Sequence, residues 1–530
     1  MKMQQEHRSG RQRGTRRAGR HPAAARLVAA ILLAVLAACG GGAGSNEPLE
    51  AAEAQQQLPS CAALPPLPLQ PAMDKRKDVT AFGAVPDDEG DDTQAIDDAL
   101  KSLKEGDWLV FPPGRYKHAR SLQVRTANVV LWGDGATLHA TNPNDMALLV
   151  RRSGVGVYRF TLTADTDRRL SAPWQARIAL YPDGPGSGVL VGNIVRGNKV
   201  LPGRGPGGAN SASSAGIFVY RAHDFLVAEN RVERSLADGI HVTGGSAHGR
   251  VLNNTVRETG DDMIAIVSYL GQGGWWAESA QQVGGAYETR RSTHLVHNVL
   301  VEGNAVSGQY WGRGITVVGG EHLTIRRNTI ADTPHAAGIL LAREQGYVSF
   351  GVRHVLVRDN IIQRVQTTAP AYRPPKFCDG KPAPCPPSPS HHGGVEVHAL
   401  AFLDELSNPA LKDRVGVEHV LIEGNAVTST LAAGARLGVG SGRTSTLERR
   451  DPHTGVVSRR SYTGSRLAGI MLVHNRFSQV GGAALEVLHQ PAPSQPLLCQ
   501  GNTLDGAVTT NGKCLGDGWP VIGAQFEGCR

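Results

Sequence analysis

Aromatic side chains make up only 5% of this 530-residue chain, charged ones 19%, and methionine appears 6 times. So few charges and so much glycine (65 residues) exclude a long coiled coil, and a 40% hydrophobic content excludes both a disordered tail protein and a polytopic membrane protein. A surplus of one charge sign is also missing once the chain is divided. Of 55 basic and 47 acidic residues overall, 8 and 1 lie in residues 1–38, leaving 47 and 46. The net charge of +8 therefore belongs to the N-terminus, and no nucleic-acid partner follows from it.

What the N-terminus does carry is an address. Arg8, Arg11, Arg13, Arg16, Arg17, Arg20 and Arg26 precede a short apolar run, Leu27 to Ala38. That run is too short for a stable transmembrane helix and reads as a secretory signal over residues 1–38. It closes on Leu36-Ala37-Ala38-Cys39, which resembles a bacterial lipobox, with Cys39 as the lipidated residue. Cleavage at an ordinary Ala site, releasing a free secreted protein, is the alternative. Gly40 after the cysteine resembles lipoproteins sent to the outer membrane, so the expected location is the cell envelope, periplasmic or surface-facing. Residues 39–72, rich in Gly and Pro, read as a tether to one domain over 73–530.

Six cysteines remain, an even count that favours disulfides outside the cytosol. Cys378 with Cys385 and Cys499 with Cys514 are local pairs; Cys61 and Cys529 are left over. No spacing resembles a zinc site.

Downstream of residue 190 a phrase recurs, Asn-x-Val/Ile after a β-rich run. It is centred on Asn198, Asn230, Asn254, Asn304, Asn328, Asn360 and Asn425, with weaker copies at Asn475 and Asn502. A spacing of 24 residues occurs twice, and longer gaps read as loops inserted into that unit. Repeats of this length signal a solenoid, and Val/Ile alternation between Gly-Asn turns makes each unit a coil of short strands. The fold class expected is all-β, a right-handed parallel β-helix whose stacked Asn residues form a structural ladder. Asp91-Asp92-Thr93-Gln94-Ala95-Ile96 opens a short capping helix with Ile96, Leu100 and Leu103 on one face. The spacing of these acids does not fit an EF-hand calcium loop.

About nine or ten residues after most of these Asn residues a second strand begins, and the residue just before it forms a second column: Ala215, Asp238, Asp262, Arg313, Ala337, Gly393 and Ala483. Most members are small, yet three successive ones are charged, and Asp261 adjoins them. Adjacent coils stack at roughly 4.8 Å, so carboxylates in this column repel and one pKa rises. Asp238, Asp261, Asp262 and Arg313 are the candidate catalytic residues, although Asp before Gly is also ordinary turn chemistry. Insertions at Leu201–Ser214, Leu270–His294 and Val365–His392 surround the column and can wall a groove. Trp275, Trp276, Tyr310 and Trp311 would offer sugars flat faces there. Loops at Leu406–Arg414 and Ala433–Ser465 are polar and say little. His223, His241, His248, His322 and His335 read as turn or ladder residues.

Three segments resemble a known family. Asp78-Val79-Thr80-Ala81-Phe82-Gly83-Ala84, Asp91–Ile96 and Phe111-Pro112-Pro113-Gly114-Arg115-Tyr116 are similar to the N-terminal segment of the pectate-lyase superfamily. Ala237-Asp238-Gly239-Ile240 and Gly260-Asp261-Asp262-Met263-Ile264-Ala265-Ile266 resemble the heart of polygalacturonase-type family 28 glycoside hydrolases. The resemblance implies an inverting hydrolase of an acidic or complex polysaccharide. Asp261 would be the general acid, while Asp238 and Asp262 would position and deprotonate water across a gap of roughly 6.5–9.5 Å. Where the family has Gly-His-Gly this chain has Gly312-Arg313-Gly314. Where it has Arg-Ile-Lys there is Leu340-Leu341-Ala342, with Arg343 and Glu344 beyond as candidate substrate contacts. These differences imply a different glycan. Hydrolysis would need no metal or cofactor. Pectate lyases of the same fold imply the alternative: Ca²⁺ held by the acids, with Arg313 as base. A third reading is a non-catalytic polysaccharide-binding β-helix. The oligomeric state stays open.

Overall fold

A computed structural model of the chain describes residues 64–69, 71–166, 174–184, 188–201, 214–271, 278–368, 392–438, 444–450, 455–488, 498–505 and 507–508. Cys39, Trp275, Trp276, Cys378, Cys385 and Cys514, together with Cys61, Cys529 and the signal segment, lie outside these residues. Cys499 is disulfide-bonded.

The chain winds through three long sheets of 15, 13 and 13 strands, so that strands adjacent in a sheet come from successive coils. Nearly every pairing is parallel. One turn of the winding runs Leu226–Ala228, Arg231–Glu233, Ile240–Thr243 and then Ala247–Leu252, back on the first sheet. This is the parallel β-helix that the repeat implied. Alternate strand residues point inward, and Val, Ile and Leu from all three sheets form one continuous core from Val79 to Leu485.

The Asn ladder is continuous. From Asn198 to Asn502 each side-chain Nδ2 donates to Oδ1 of the next Asn at 2.9–3.0 Å. That same Oδ1 also accepts the backbone N–H of the preceding Asn, and the second Nδ2 hydrogen reaches a carbonyl such as Val195 or Val227. All nine amides are buried, and from Asn198 to Asn475 both amide hydrogens of each are engaged, which is why a polar residue persists at this corner.

The helix Thr93–Ser102 buries Ile96, Ala99 and Leu100 against the first coils and closes the apolar end, as its pattern implied. Its first turn is satisfied by Asp91, whose Oδ1 accepts Thr93 N–H at 3.0 Å. Asp92 instead accepts from Val85 N–H and Lys117 N–H, tying the helix to the strand beneath.

The insertion that begins at Leu270 joins later segments in a second, smaller core. Leu270, Ala280, Val283, Tyr287, Val348, Phe350, Phe402 and Leu411 pack together beside the main solenoid. The segments read as uninformative contribute to it: Leu403–Ser407 is a helix, and Ser445–Arg450 pairs antiparallel with Val457–Gly464, which pairs with Val395–Phe402. Stacking places loops that leave the same corner side by side, however far apart they are in the chain.

Candidate active site

Strand register confirms the second column and adds one member. Ile217, Ile240, Ile264, Ile315, Ile339, Val395, Ala435 and Leu485 are successive partners. The residues two before them are Ala215, Asp238, Asp262, Arg313, Ala337, Gly393, Ala433 and Ala483. Ala433 escaped the sequence pattern because the segment from Ala433 to Ser465 reads as a polar loop. Asp261 occupies the neighbouring column, between Ala237 and Gly312. The two acidic turns are built alike: Ser235 Oγ donates to Ala237 O at 2.8 Å, and Thr259 Oγ1 to Asp261 O at 2.7 Å. Equal turns in successive coils bring the three acids together.

One carboxylate oxygen from each of Asp238, Asp261 and Asp262 lies within 4.8 Å of the others. Asp238 and Asp262 are buried; Asp261 is half-exposed. The expected inversion gap of roughly 6.5–9.5 Å is therefore not present between these nearest oxygens. Asp262 Oδ1 accepts the Arg313 backbone N–H at 2.6 Å, and its Oδ2 is 3.6 Å from Arg313 Nη1. The other arm of Arg313 binds Glu344. Gly312 must be glycine: a Cβ there would stand 2.3 Å from Asp262 Oδ1 and 2.4 Å from its backbone nitrogen.

Burial, together with the charges of Asp261 and Asp238, raises the Asp262 carboxyl well above the usual range, and Arg313 only partly offsets this. Burial also works to lower the Arg313 guanidinium, but Glu344, Asp262 and Asp261 outweigh it and leave it raised. Tyr269 and Tyr347 face the same charges. Burial and then Asp238 push Tyr269 up, and burial and then Asp261 push Tyr347 up to about 12. Both remain neutral phenols.

Several participants were not legible in the sequence. His241 Nδ1 is 2.5 Å from Asp238 Oδ2, so it belongs to the site and is no ladder residue. Glu396 is bound by His392 Nδ1 at 2.6 Å and His398 Nδ1 at 3.0 Å, and His398 Nε2 lies 4.0 Å from Glu344. The pattern His398–x–Glu396 on one strand face was the only available signal. The neighbouring His column is different in kind. His248, His322, His354 and His419 share a left-handed backbone position (φ 52°–54°) with Asp224 and Asn298. The His322, His354 and His419 rings stack at 4.7 and 4.9 Å.

Two proposed substrate contacts are corrected. Arg343 is fully buried, with Nη2 2.7 Å from Glu405 Oε1, because strand alternation turns it away from Glu344 into the second core. Tyr310 is 1% exposed, packed under its turn, and presents no face to a sugar. Trp311, 48% exposed beside the His335 ring, remains available, and Glu344 sits at the site through Arg313.

A family profile described as rhamnogalacturonase A/epimerase, pectate lyase-like, matches residues 77–156, and one described as right handed beta helix region matches residues 211–371. No curated protein matches the chain in sequence. Solved structures with a similar fold include the A-module of the Azotobacter vinelandii mannuronan C-5 epimerase AlgE6, at 15% identity over 81% of this chain and 98% of that one, TM-score 0.46. Others are the catalytic unit of a GH87 α-1,3-glucanase from Streptomyces thermodiastaticus (19% identity, 83% and 70% covered, TM-score 0.49) and a tailspike of the E. coli bacteriophage HK620 (12%, 82% and 67%, TM-score 0.48).

Proposed function

From a right-handed, pectate-lyase-like parallel β-helix as premise, we propose that this protein cleaves a polysaccharide by hydrolysing glycosidic bonds at Asp238, Asp261 and Asp262. The observation that carries the proposal is the convergence of three carboxylates from two successive coils within 4.8 Å. Three carboxylates so close repel one another, which favours holding a proton within the cluster, and burial with the charges of Asp261 and Asp238 raises the Asp262 carboxyl. A site that holds one proton among ionised neighbours can both give and take one.

The proton held among the three carboxylates reaches the glycosidic oxygen through Asp261, the least buried of them, as the C1–O bond breaks. Water adds to C1, and its proton passes to Asp238, which His241 holds in place. That proton returns from Asp238 through Asp262 to Asp261, leaving the cluster as it began. Arg313, locked between Asp262 and Glu344, keeps the cluster from flying apart electrostatically. The anomer released first, read by proton NMR, decides between inversion and retention.

A second reading, a Ca²⁺-dependent lyase, is favoured by the same trio. Hard carboxylate oxygens at this spacing fit Ca²⁺, held by Asp238, Asp261 and Asp262, where it would neutralise a substrate carboxylate. Arg313 would then act as a fixed cation and not as the base, because its carboxylate partners hold it protonated.

The test is to offer the protein pectic, alginate-like and bacterial exopolysaccharides and follow reducing ends and unsaturated-uronate absorbance together, with and without chelator. Reducing ends alone, indifferent to chelator, support hydrolysis. Absorbance that disappears with chelator supports the lyase. No product on any glycan, with binding retained in a triple Asp→Asn variant, supports a binding protein.

We also propose attachment to the cell envelope through Cys39, supported by Leu36-Ala37-Ala38-Cys39 and the glycines that follow. Cys39→Ala would move the protein from the membrane pellet to the soluble fraction; continued pelleting would refute the anchor.

A further inference from the structure

The outer face of the sheet that carries the acids is not uniform. On the coils before Asp238 it is aromatic. Trp174 and Tyr181 meet edge to face at 5.1 Å, and Tyr181 stacks on Tyr220 at 4.7 Å with planes 18° apart. Phe218 adjoins Tyr220 at 6.2 Å and stacks on His241 at 5.6 Å. His241 holds Asp238. The rings thus form an unbroken path along the solenoid axis that ends at the catalytic carboxylates. Phe218 is nearly covered, while Trp174, Tyr181 and Tyr220 keep part of their surface open.

At the far end of that path stands an excess of positive charge. Asp183 alone receives Arg125 (2.7 Å), Arg152 (2.6 Å) and Arg151 (3.5 Å). Among the described residues Asp183 is the carboxylate these three guanidinium groups share, and Arg125 and Arg152 keep 54% and 42% of their side-chain surface exposed, within reach of a further anion. Arg151 is buried, with its guanidinium 5.1 Å from the Trp174 ring centre and 5.6 Å from that of Tyr181. A cavity of about 280 Å³ opens here, lined by Arg151, Arg152, Ser153, Val189 and Leu190. Burial, only partly offset by Asp183, lowers the Arg151 pKa.

We propose that this cavity and the Trp174–Tyr181–Tyr220 rings form an anionic-sugar subsite, which takes a carboxylate-bearing residue of the substrate several coils from the bond that is cleaved. The inference rests on the polysaccharide reading above and deepens it: the substrate is an acidic glycan lying along the solenoid axis. The chemistry required has two parts, and both are present side by side. The partly open edges of the Tyr and Trp rings offer a pyranose apolar contact, and a carboxylate pairs with the arginine fork.

The test is native affinity electrophoresis of the full chain in gels containing polygalacturonate, alginate or neutral dextran. We expect retardation by at least one polyuronate and none by dextran. Replacing both Arg125→Gln and Arg152→Gln leaves the Arg151–Asp183 pair intact and removes two charged hydrogen bonds, so affinity falls about tenfold or more with the melting temperature preserved. Tyr220→Leu weakens binding independently of the charge. Equal retardation by dextran, no retardation by either polyuronate, or wild-type affinity in the double variant overturns the proposal. The two levels separate cleanly. Cleavage of a neutral glycan abolished by Asp261→Asn but indifferent to the arginine variants sinks the subsite alone. Polyuronate binding that depends on Arg125 and Arg152, without any cleavage product, sinks the enzyme reading alone.

Discussion

Asp262 is held in a place that destabilises its charge. Its folded pKa is raised above the unfolded value, so its contribution is most favourable below the unfolded pKa and is lost as pH rises through the folded pKa. Asp262→Asn keeps an acceptor for the Arg313 N–H and removes the charge. It should abolish turnover yet raise the melting temperature, with a gain larger at pH 8 than at pH 4; calorimetry at both values checks this, and a uniform loss would contradict it. Gly312→Ala is expected to act oppositely. Its Cβ meets Asp262 backbone as well as side chain, so about 1–3 kcal/mol of stability should go, and activity should fall with it. Much at this scale was legible, since three charges interrupting a column of Ala and Gly mark Asp238, Asp262 and Arg313. The Arg313–Glu344 contact was not, because nothing in a span of 31 residues states that two coils are stacked. Arg343 was misread because one residue of strand alternation separates a groove contact from a buried ion pair.

Among the repeating elements, the ladder and the histidine stack make different demands. Asn304 accepts from both the backbone and side chain of Asn254 and donates to Val251 O and Asn328. Asn304→Ala strands several buried polar groups at once and should cost about 3 kcal/mol, measured by urea unfolding. The stack acts through pH. Burial, then the neighbouring His322 and His419, lowers His354 to about 4 from the ordinary 6.5. The unfolded chain therefore binds the proton first as pH falls, and stability present above about 6.5 is lost progressively toward about 4. His354→Asn, a residue type that the same backbone position already accepts at Asn298, should flatten that acid limb. The ladder was readable because its spacing survives insertions. The stack was not, since a left-handed position admits His, Asn, Asp and Gly alike and leaves no motif.

At the scale of the whole molecule, the solenoid and the side core answer to different rules. The solenoid followed from a short repeat. The side core is assembled from Leu270, residues 280–295, 348–350 and 401–415, and the paired strands Ser445–Arg450 and Val457–Gly464, which are non-contiguous, so no single window of sequence shows its apolar pattern. Its anchor is the Arg343–Glu405 pair, both side chains fully buried. Arg343→Met leaves Glu405 charged without a partner and should cost about 3–5 kcal/mol, whereas replacing both by Met and Leu should recover most of it. Native-state hydrogen exchange that shows the side core opening before the solenoid in the single variant would locate the loss there.

The column that carries the acids has a further consequence. Its members are Ala215, Asp238, Asp262, Arg313, Ala337, Gly393, Ala433 and Ala483, on strand entries that superpose coil upon coil. Four side chains, Asp238, Asp262 and Arg313 in this column and Asp261 in the one beside it, turn a rail of small residues into a reactive centre, while Gly312 stays without a Cβ to leave Asp262 its room. A reactive centre on such a scaffold is an address more than a shape.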